Sequence, residues 1–379
     1  MSDAVFFIMG SLMLAVAIVS QDLDTRLALG IINITGHKTW RIIAGFVAVC
    51  ALLSSFIGEH TVTAMMMPVG LTLVRHTSRD PKKVAGLTSL ILFSIAYGSA
   101  MGSIGTPSGG GRNVIMIGYL SQFGMGNLSY LDWMKYAYPI LLIEIPLAIM
   151  ILWWTFRPEK TILDSAVRKL KVQVAKSGQI TGSQITAMGV FVLVFLGWVF
   201  LSPKIGLGIV ALMGVVLYLA MGLVEWQDLN RNTNWGVIML FGSAISIGIQ
   251  MKDTGAALWV ANNVIEGLQV ITSNVDFSRS FVSIFLTAGL TNFLSNAATV
   301  AVLGPIVLNM GGNAVMVALS TALASAFAYL TVVASPTCMI IHSSGLVKPS
   351  DYLRAGWKMT VMSIAVLLLF IHLFWPLMG

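Results

Sequence analysis

At 57% hydrophobic and only 10% charged over 379 residues, the chain cannot be a soluble domain, a class that averages about 25% charged residues. A net charge of +7 would suggest nucleic acid in a soluble protein. Here the basic residues lie in short loops between apolar spans, so the expectation is an all-α, multi-pass membrane protein with the lipid bilayer, not nucleic acid, as its surroundings. Cys50 and Cys338 both stand in apolar stretches and suggest no disulfide framework.

The first apolar stretch, about residues 4 to 20, has no basic leader and no A-x-A cleavage site, and reads as a retained span. Gln21 to Asn33 mixes charge with an apolar stripe, as an interfacial helix does. Arg41 to Ile57 then enters the membrane, breaks at Gly58 to Thr61, and Val62 to Val74 leaves it. Both limbs read as short, and the exit falls on Arg75, Arg79, Lys82 and Lys83, the basic side that also holds Arg26, Lys38 and Arg41. Two full crossings would preserve that sidedness, but the Glu59-His60 pair in mid-segment favours a re-entrant hairpin, about 41–74. Val84 to Leu120 contains the break GTPSGGGRN, where glycines and a proline forbid a continuous helix. It reads as one crossing by a broken helix. A mostly polar loop to Tyr138, a span at 139–156, a basic amphipathic connector from Arg157 to Lys176, and spans at 185–202 and 205–224 follow.

The second half repeats this order. A span at 235–251 precedes an interfacial helix, a hairpin at about 277–308, a broken helix at about 314–345 interrupted near Ala334 to Cys338, and a last span at 359–375. FIMGSLMLAVAI at Phe7 matches MLFGSAISIGI at Met239, 232 positions on. With hairpins counted as no crossing, five crossings separate equivalent points, so the copies are expected to be inverted, the arrangement of many secondary transporters. The expected organisation is a first repeat over 1–156, a connector over 157–184 and a second repeat over 185–379. The second repeat begins with two spans that the first lacks, which points to either a lost N-terminal pair or a trimmed ancestral repeat. Of the 22 Lys and Arg, 17 fall on the side taken as cytoplasmic. This orients the chain in the plasma (bacterial inner) membrane with the first hairpin entering from inside, the second from outside, and the C-terminus outside.

The two hairpins carry the candidate site. TNFLSNAATVAVLGP at Thr291 to Pro305 and SSFIGEHTVTAMMMP at Ser54 to Pro68 each interrupt an apolar run with a polar cluster and close on a proline. Unpaired backbone in hydrocarbon costs several kcal/mol, so such breaks belong where protein or a watery cavity surrounds them. Charges at mid-helix cost about 2.5 to 3.5 kcal/mol, so Glu59 and Arg112 are expected to work, either on a ligand or by pairing with each other. His60 reads as a ligand group or a hydrogen-bonded packing residue. Glu144 stands outside any motif and reads as interfacial or helix-pairing. The glycine run 109–111 lacks the Lys-Ser/Thr of a nucleotide loop. Paired aspartates, a Ser-Lys dyad and H-E-x-x-H are absent from the sequence, so an intramembrane enzyme is not expected.

LSNAATVAVLGP resembles the Ser-Asn-Thr hairpin motif of the divalent anion:sodium symporter (DASS) family of the ion transporter superfamily. NWGVIMLFGSAISIGIQMKDTG, SAFAYLTVVASPTCMII and HSSGLVKPSDYLRAG are similar to further stretches of that family. Ser295 and Asn296 match the motif's first two positions and Thr299 its later threonine, whereas Ala297 stands where the family has threonine. Gly58, Glu59 and His60 replace Ser, Asn and Thr at the first tip. Ser335 matches the threonine of a Thr-Pro pair, and Cys338 replaces an asparagine. GSIGTPSGGGRN keeps the family's Gly102, Thr106, Pro107 and Asn113 and adds Arg112.

The resemblance implies scaffold and transport parts in each repeat, a homodimer, elevator movement, and an anion bound between the tips with sodium beside each. Its substrate-binding residues would be His60, Thr61, Arg112 and Asn113 in the first half, and Asn296, Thr299, Ser335 and Thr337 in the second. Sodium would be held by Gly58, Glu59, Gly102 and Thr106, and by Thr291, Ser295, Asn296 and Ala334. The changed first tip leaves that site open to a proton in place of sodium. The function expected is cation-coupled transport of a small divalent anion, a di- or tricarboxylate or sulfate. The alternatives are proton coupling or anion exchange through Glu59 and His60, and a non-transporting anion sensor or partner subunit.

Overall fold

The computed structural model describes residues 3–21, 35–78, 80–164, 167–168, 180–269 and 279–378. Among these no β-strand forms, only one isolated bridge between Lys38 and Ile162. Six of the helices are long and apolar enough to cross a bilayer. The expected interfacial helix after the first span falls almost wholly outside the described residues, as does most of the connector beyond Asp164.

The first span is α1 (Asp3–Val19). Helices α2 (Thr39–Ile57) and α3 (Glu59–Thr77) follow, joined by Gly58 alone at φ 88°, a left-handed value that a glycine takes without steric cost. Each has 19 residues and is about 28 Å long, so the limbs are longer than expected. They nevertheless form a hairpin with both ends at one place. The Thr39 amide donates to Thr161 O at 3.0 Å, and the Thr39 hydroxyl to Lys160 O at 2.8 Å. The Lys160 ammonium in turn donates to Thr77 O at 3.1 Å.

The broken helix consists of α4 (Ala85–Gly102) and α5 (Gly111–Gln122). Glu159 caps the start of α4, accepting from the amides of Gly86 at 2.8 Å and Leu87 at 3.0 Å, where a carboxylate complements the positive end of the helix. At the other end Gly102 presses on α2, and a Cβ there would overlap the Ala51 carbonyl. The next helix, α6 (Tyr130–Thr155), starts well before the expected Tyr138. The Ser129 hydroxyl caps it by accepting from the Asp132 amide at 3.1 Å, and Tyr130 and Trp133 are fully buried, so the polar-looking loop folds as the first turns of the helix.

Helices α7 (Gly182–Phe200) and α8 (Leu207–Ala220) precede α9 (Trp235–Asp253) and α10 (Ala256–Gln269). The second hairpin has limbs α11 (Phe281–Leu290) and α12 (Asn296–Asn309), closed at its base by Arg279 Nε donating to Met310 O at 2.8 Å. Helix α13 (Ala314–Ala324) ends ten residues before the break expected at Ala334, because side chains of the hairpin tip hold the chain from Ser325 onward. The second broken helix resumes as α14 (Pro336–His342). The last span, α15 (Pro349–Leu369), starts ten residues earlier than expected, with Pro349 in its first turn and Asp351 Oδ2 accepting from the Lys348 amide at 3.1 Å.

Corresponding helices run in opposite directions. Helix α5 ends at Gln122, whose carbonyl takes a 3.4 Å bond from Lys252 at the end of α9. Asp3 and Ala4, opening α1, line one cavity with Gln122, so α1 and α9 are antiparallel. Val315, opening α13, lies beside Gly126, and α14 ends with His342 against Tyr352, whose neighbour Asp351 reaches Ser89 on α4. The two broken helices are therefore antiparallel. Lys358 to Thr155 at 2.9 Å and Trp375 to Tyr136 O at 3.4 Å set α15 antiparallel to α6. The hairpins enter from opposite ends and meet in the middle.

Candidate functional site

Glu59 opens α3 at the first tip, Ser103 follows the end of α4, Arg112 stands in the first turn of α5, and Asn296 opens α12 at the second tip. The fold brings all four together. Ser103 Oγ donates to Glu59 Oε2 at 2.8 Å, Arg112 Nη1 reaches the same oxygen at 3.4 Å, and Arg112 Nη2 donates to Ser103 Oγ. From the other half of the chain, Asn296 Nδ2 donates to Glu59 Oε1 at 3.1 Å. The Thr291 hydroxyl stands 2.9 Å from Asn296 Oδ1 and 2.7 Å from Ser325 O, tying the second tip to the second break. Glu59, Arg112 and Asn296 are each at most 5% exposed, so charge is held here at low dielectric, where an unpaired partner is costly.

Glu59 and Arg112 thus pair, as one sequence alternative had it, and the pair also engages the opposite tip. Asn113 donates from Nδ2 to Ser103 O at 2.9 Å and to Thr106 O at 2.8 Å, and the Thr106 hydroxyl donates to Ser55 O. Both Asn113 donors are used, while its buried Oδ1 accepts no hydrogen bond among the described residues. Gly58 and His60 line a cavity of about 50 Å³ beside Gly110 and Phe241, room for one or two waters. Among the described residues, the side chains of other expected site residues make no hydrogen bond to the Glu59 cluster. Thr61 is half-buried, and Thr299 bonds back to Ser295 O at 3.1 Å. The Ser295 hydroxyl caps α12 from an exposed position, and Ser335, 2.7 Å from Thr337, caps α14 next to buried Ala334.

Sequence reasoning missed Ser103 and Asn292. Asn292 Oδ1 accepts from the Leu330 amide at 2.8 Å, and its carbonyl accepts from the Thr331 hydroxyl at 2.8 Å, which shapes the second break. The only signal for it was an amide residue inside an otherwise apolar run.

The family model for the sodium:sulfate symporter transmembrane region matches residues 1–379. The chain belongs to that family. It is 26% identical over 426 residues to the sodium-dependent high-affinity dicarboxylate transporter 3 of Caenorhabditis elegans, covering 98% of this chain and 74% of that relative. It is 25% identical over 407 residues to a sodium-dependent dicarboxylate transporter of Staphylococcus saprophyticus, covering 99% of this chain and 77% of the relative. Among solved structures, the crystal structure of the Alcanivorax borkumensis YdaH transporter superposes with a TM-score of 0.66 at 14% identity, over 98% of this chain and 86% of that one, a likeness of fold. The family and these relatives are transporters, not enzymes, and the resemblance carried by LSNAATVAVLGP is borne out.

Proposed function

We propose that the chain carries a small divalent anion, a dicarboxylate before sulfate, in symport with sodium, and that the anion binds where the two hairpin tips meet. The observation that carries this reading is the contact of Glu59 with Asn296 and Arg112 across the tips. Three donor groups converge there on one carboxylate, the chemistry that would also hold a carboxylate or sulfate of the substrate. An incoming dianion competes with Glu59 for Arg112 and Asn296. Arg112 and Glu59 cancel each other, so two negative charges then stand uncompensated in a buried site, and two monovalent cations restore neutrality.

Sodium is cargo in this reading. The buried, unpaired Asn113 Oδ1 supports a sodium position beside Gly102 and Thr106, since an oxygen lacking a donor suits a hard cation. This moves Asn113 from the anion to the cation. Thr291, Ser295, Asn296 and Ala334 would serve the second sodium. The names of the dicarboxylate-transporting relatives support the choice of anion.

The opposed directions of α1 and α9, of the two broken helices and of α6 and α15 support two inverted repeats, 1–156 and 185–379, joined by a connector. Elevator movement, a homodimer, a plasma-membrane location and an outside C-terminus complete the reading. Lys38, Lys160 and Lys358 gather at one end of the helices and Lys135, Lys252 and Arg279 at the other, consistent with the first group facing the cytoplasm. A proton at the first tip in place of sodium is the alternative there.

Counterflow in proteoliposomes tests the proposal. Succinate exchange should rise with sodium at fixed pH, and exchange indifferent to sodium would remove the symport reading.

A further inference from the structure

Glu144 lies in the middle of α6, fully buried, and neither carboxylate oxygen has a hydrogen-bond partner among the described residues. It is thus not an interfacial residue, and its place beside the last span keeps the helix-pairing reading open. Ser363 on α15 and the phenol of Tyr329, in the second break, lie alongside it. The hydroxyls of both are themselves buried, and among the described residues neither stands in hydrogen-bonding geometry with a partner. An ionised carboxylate in such surroundings would carry a desolvation cost of several kcal/mol with nothing to offset it, whereas a neutral carboxylic acid carries far less.

The charged and titratable groups on the packed elements do not supply a counter-charge. Helix α4 presents Tyr97, which donates to Tyr329 O at 2.8 Å. Helix α15 presents Lys358, which is bound to Thr155 at the far end of α6. On α2 stand the buried Cys50 and, exposed in its first turn, Arg41, and α6 itself adds Tyr138, with Asp132 and Lys135 paired to each other at 3.2 Å near its start. The guanidinium of Arg112 acts on Tyr329 from the tip cluster but is engaged by Glu59 and Ser103.

We propose that Glu144 is a proton-binding site of the transporter, separate from the hairpin tips, with the Ser363 and Tyr329 hydroxyls as its hydrogen-bonding partners when it exchanges its proton. Tyr329 gives this site a route to the tips. The next residue, Leu330, is held through its amide by Asn292, whose neighbour Thr291 bonds Asn296. Gain or loss of the proton therefore acts on the segment that positions the second tip, whichever anion is carried and whichever cation sits at the tips.

Infrared spectroscopy of the purified wild-type protein tests this directly. A protonated carboxyl C=O band should be present at neutral pH, should be lost in Glu144→Gln and should persist in Glu59→Gln. Absence of the band in the wild type, or its persistence in Glu144→Gln, overturns the proposal. In a second measurement, the pH midpoint of succinate uptake at saturating sodium is followed in Tyr329→Phe and Ser363→Ala, which keep the carboxylate. Each should shift the midpoint by about one unit. An unmoved midpoint in both, or a change in sodium dependence with the pH profile intact, also overturns it.

Discussion

Asn296 donates from Nδ2 to Glu59 Oε1 at 3.1 Å, joining two positions 237 residues apart in the chain. This one bond links the tips of hairpins that enter from opposite ends of the helices, and it closes the site. The cavity of about 50 Å³ beside Gly58 and His60 is too small for a dicarboxylate, so the proposed binding mode requires the tips to part.

Asn296→Ala leaves Glu59 Oε1 buried without its donor, at a cost of about 1–3 kcal/mol. Scanning fluorimetry of detergent-purified protein should show a lowered Tm with the fold retained. Asn296→Asp sets a second carboxylate against the first and should be the less stable of the two.

Arg112→Met strands Glu59 as an uncompensated buried charge, and should cost about 3–5 kcal/mol. The double variant Arg112→Met with Glu59→Gln removes both charges and should recover most of that loss. Denaturation of the two variants and the wild type in one detergent checks the sign. A double variant less stable than Arg112→Met would show that the pair does not act as a unit.

Glu59→Gln keeps the shape of the tip but removes the charge that, in the proposed binding mode, the substrate displaces. Anion binding should then need less sodium. Titration calorimetry with succinate over a series of sodium concentrations reads this as a shallower dependence of Kd on sodium than in the wild type.

Gly102→Ala places a Cβ against the Ala51 carbonyl, where α4 packs on α2. Overpacking of a tight contact costs about 1–3 kcal/mol, and the variant should express poorly or melt early. Gly58→Ala instead makes only ordinary van der Waals contacts, with His60 Cε1 at 3.8 Å and Gly109 O at 3.9 Å, but strains the turn at φ 88° and ψ 149°, at about 1–3 kcal/mol. Comparing the two Tm values separates crowding from backbone strain.

The sequence made the hairpins and broken helices legible because polar breaks in long apolar runs are costly in lipid and seldom accidental. Glu59 and Arg112 stood out for the same reason. Ser103 did not, since a serine in a glycine-rich break carries no signal of its own until the fold sets it between a carboxylate and a guanidinium. Glu144 was visible as a charge in a span, but its lack of a partner is a property of packing. The starts of α6 and α15 were placed too late because polar residues in their first turns looked like loop, while buried Trp133 and Tyr352 pull those turns into the core.

The most direct measurement is the thermal shift of the purified protein with succinate or sulfate, with and without sodium, in the wild type and in Asn296→Ala. Anion stabilisation of the wild type that requires sodium, and its loss in a still-folded Asn296→Ala, is the expected result. Equal stabilisation of both proteins, or stabilisation indifferent to sodium, would contradict binding of the anion between the tips.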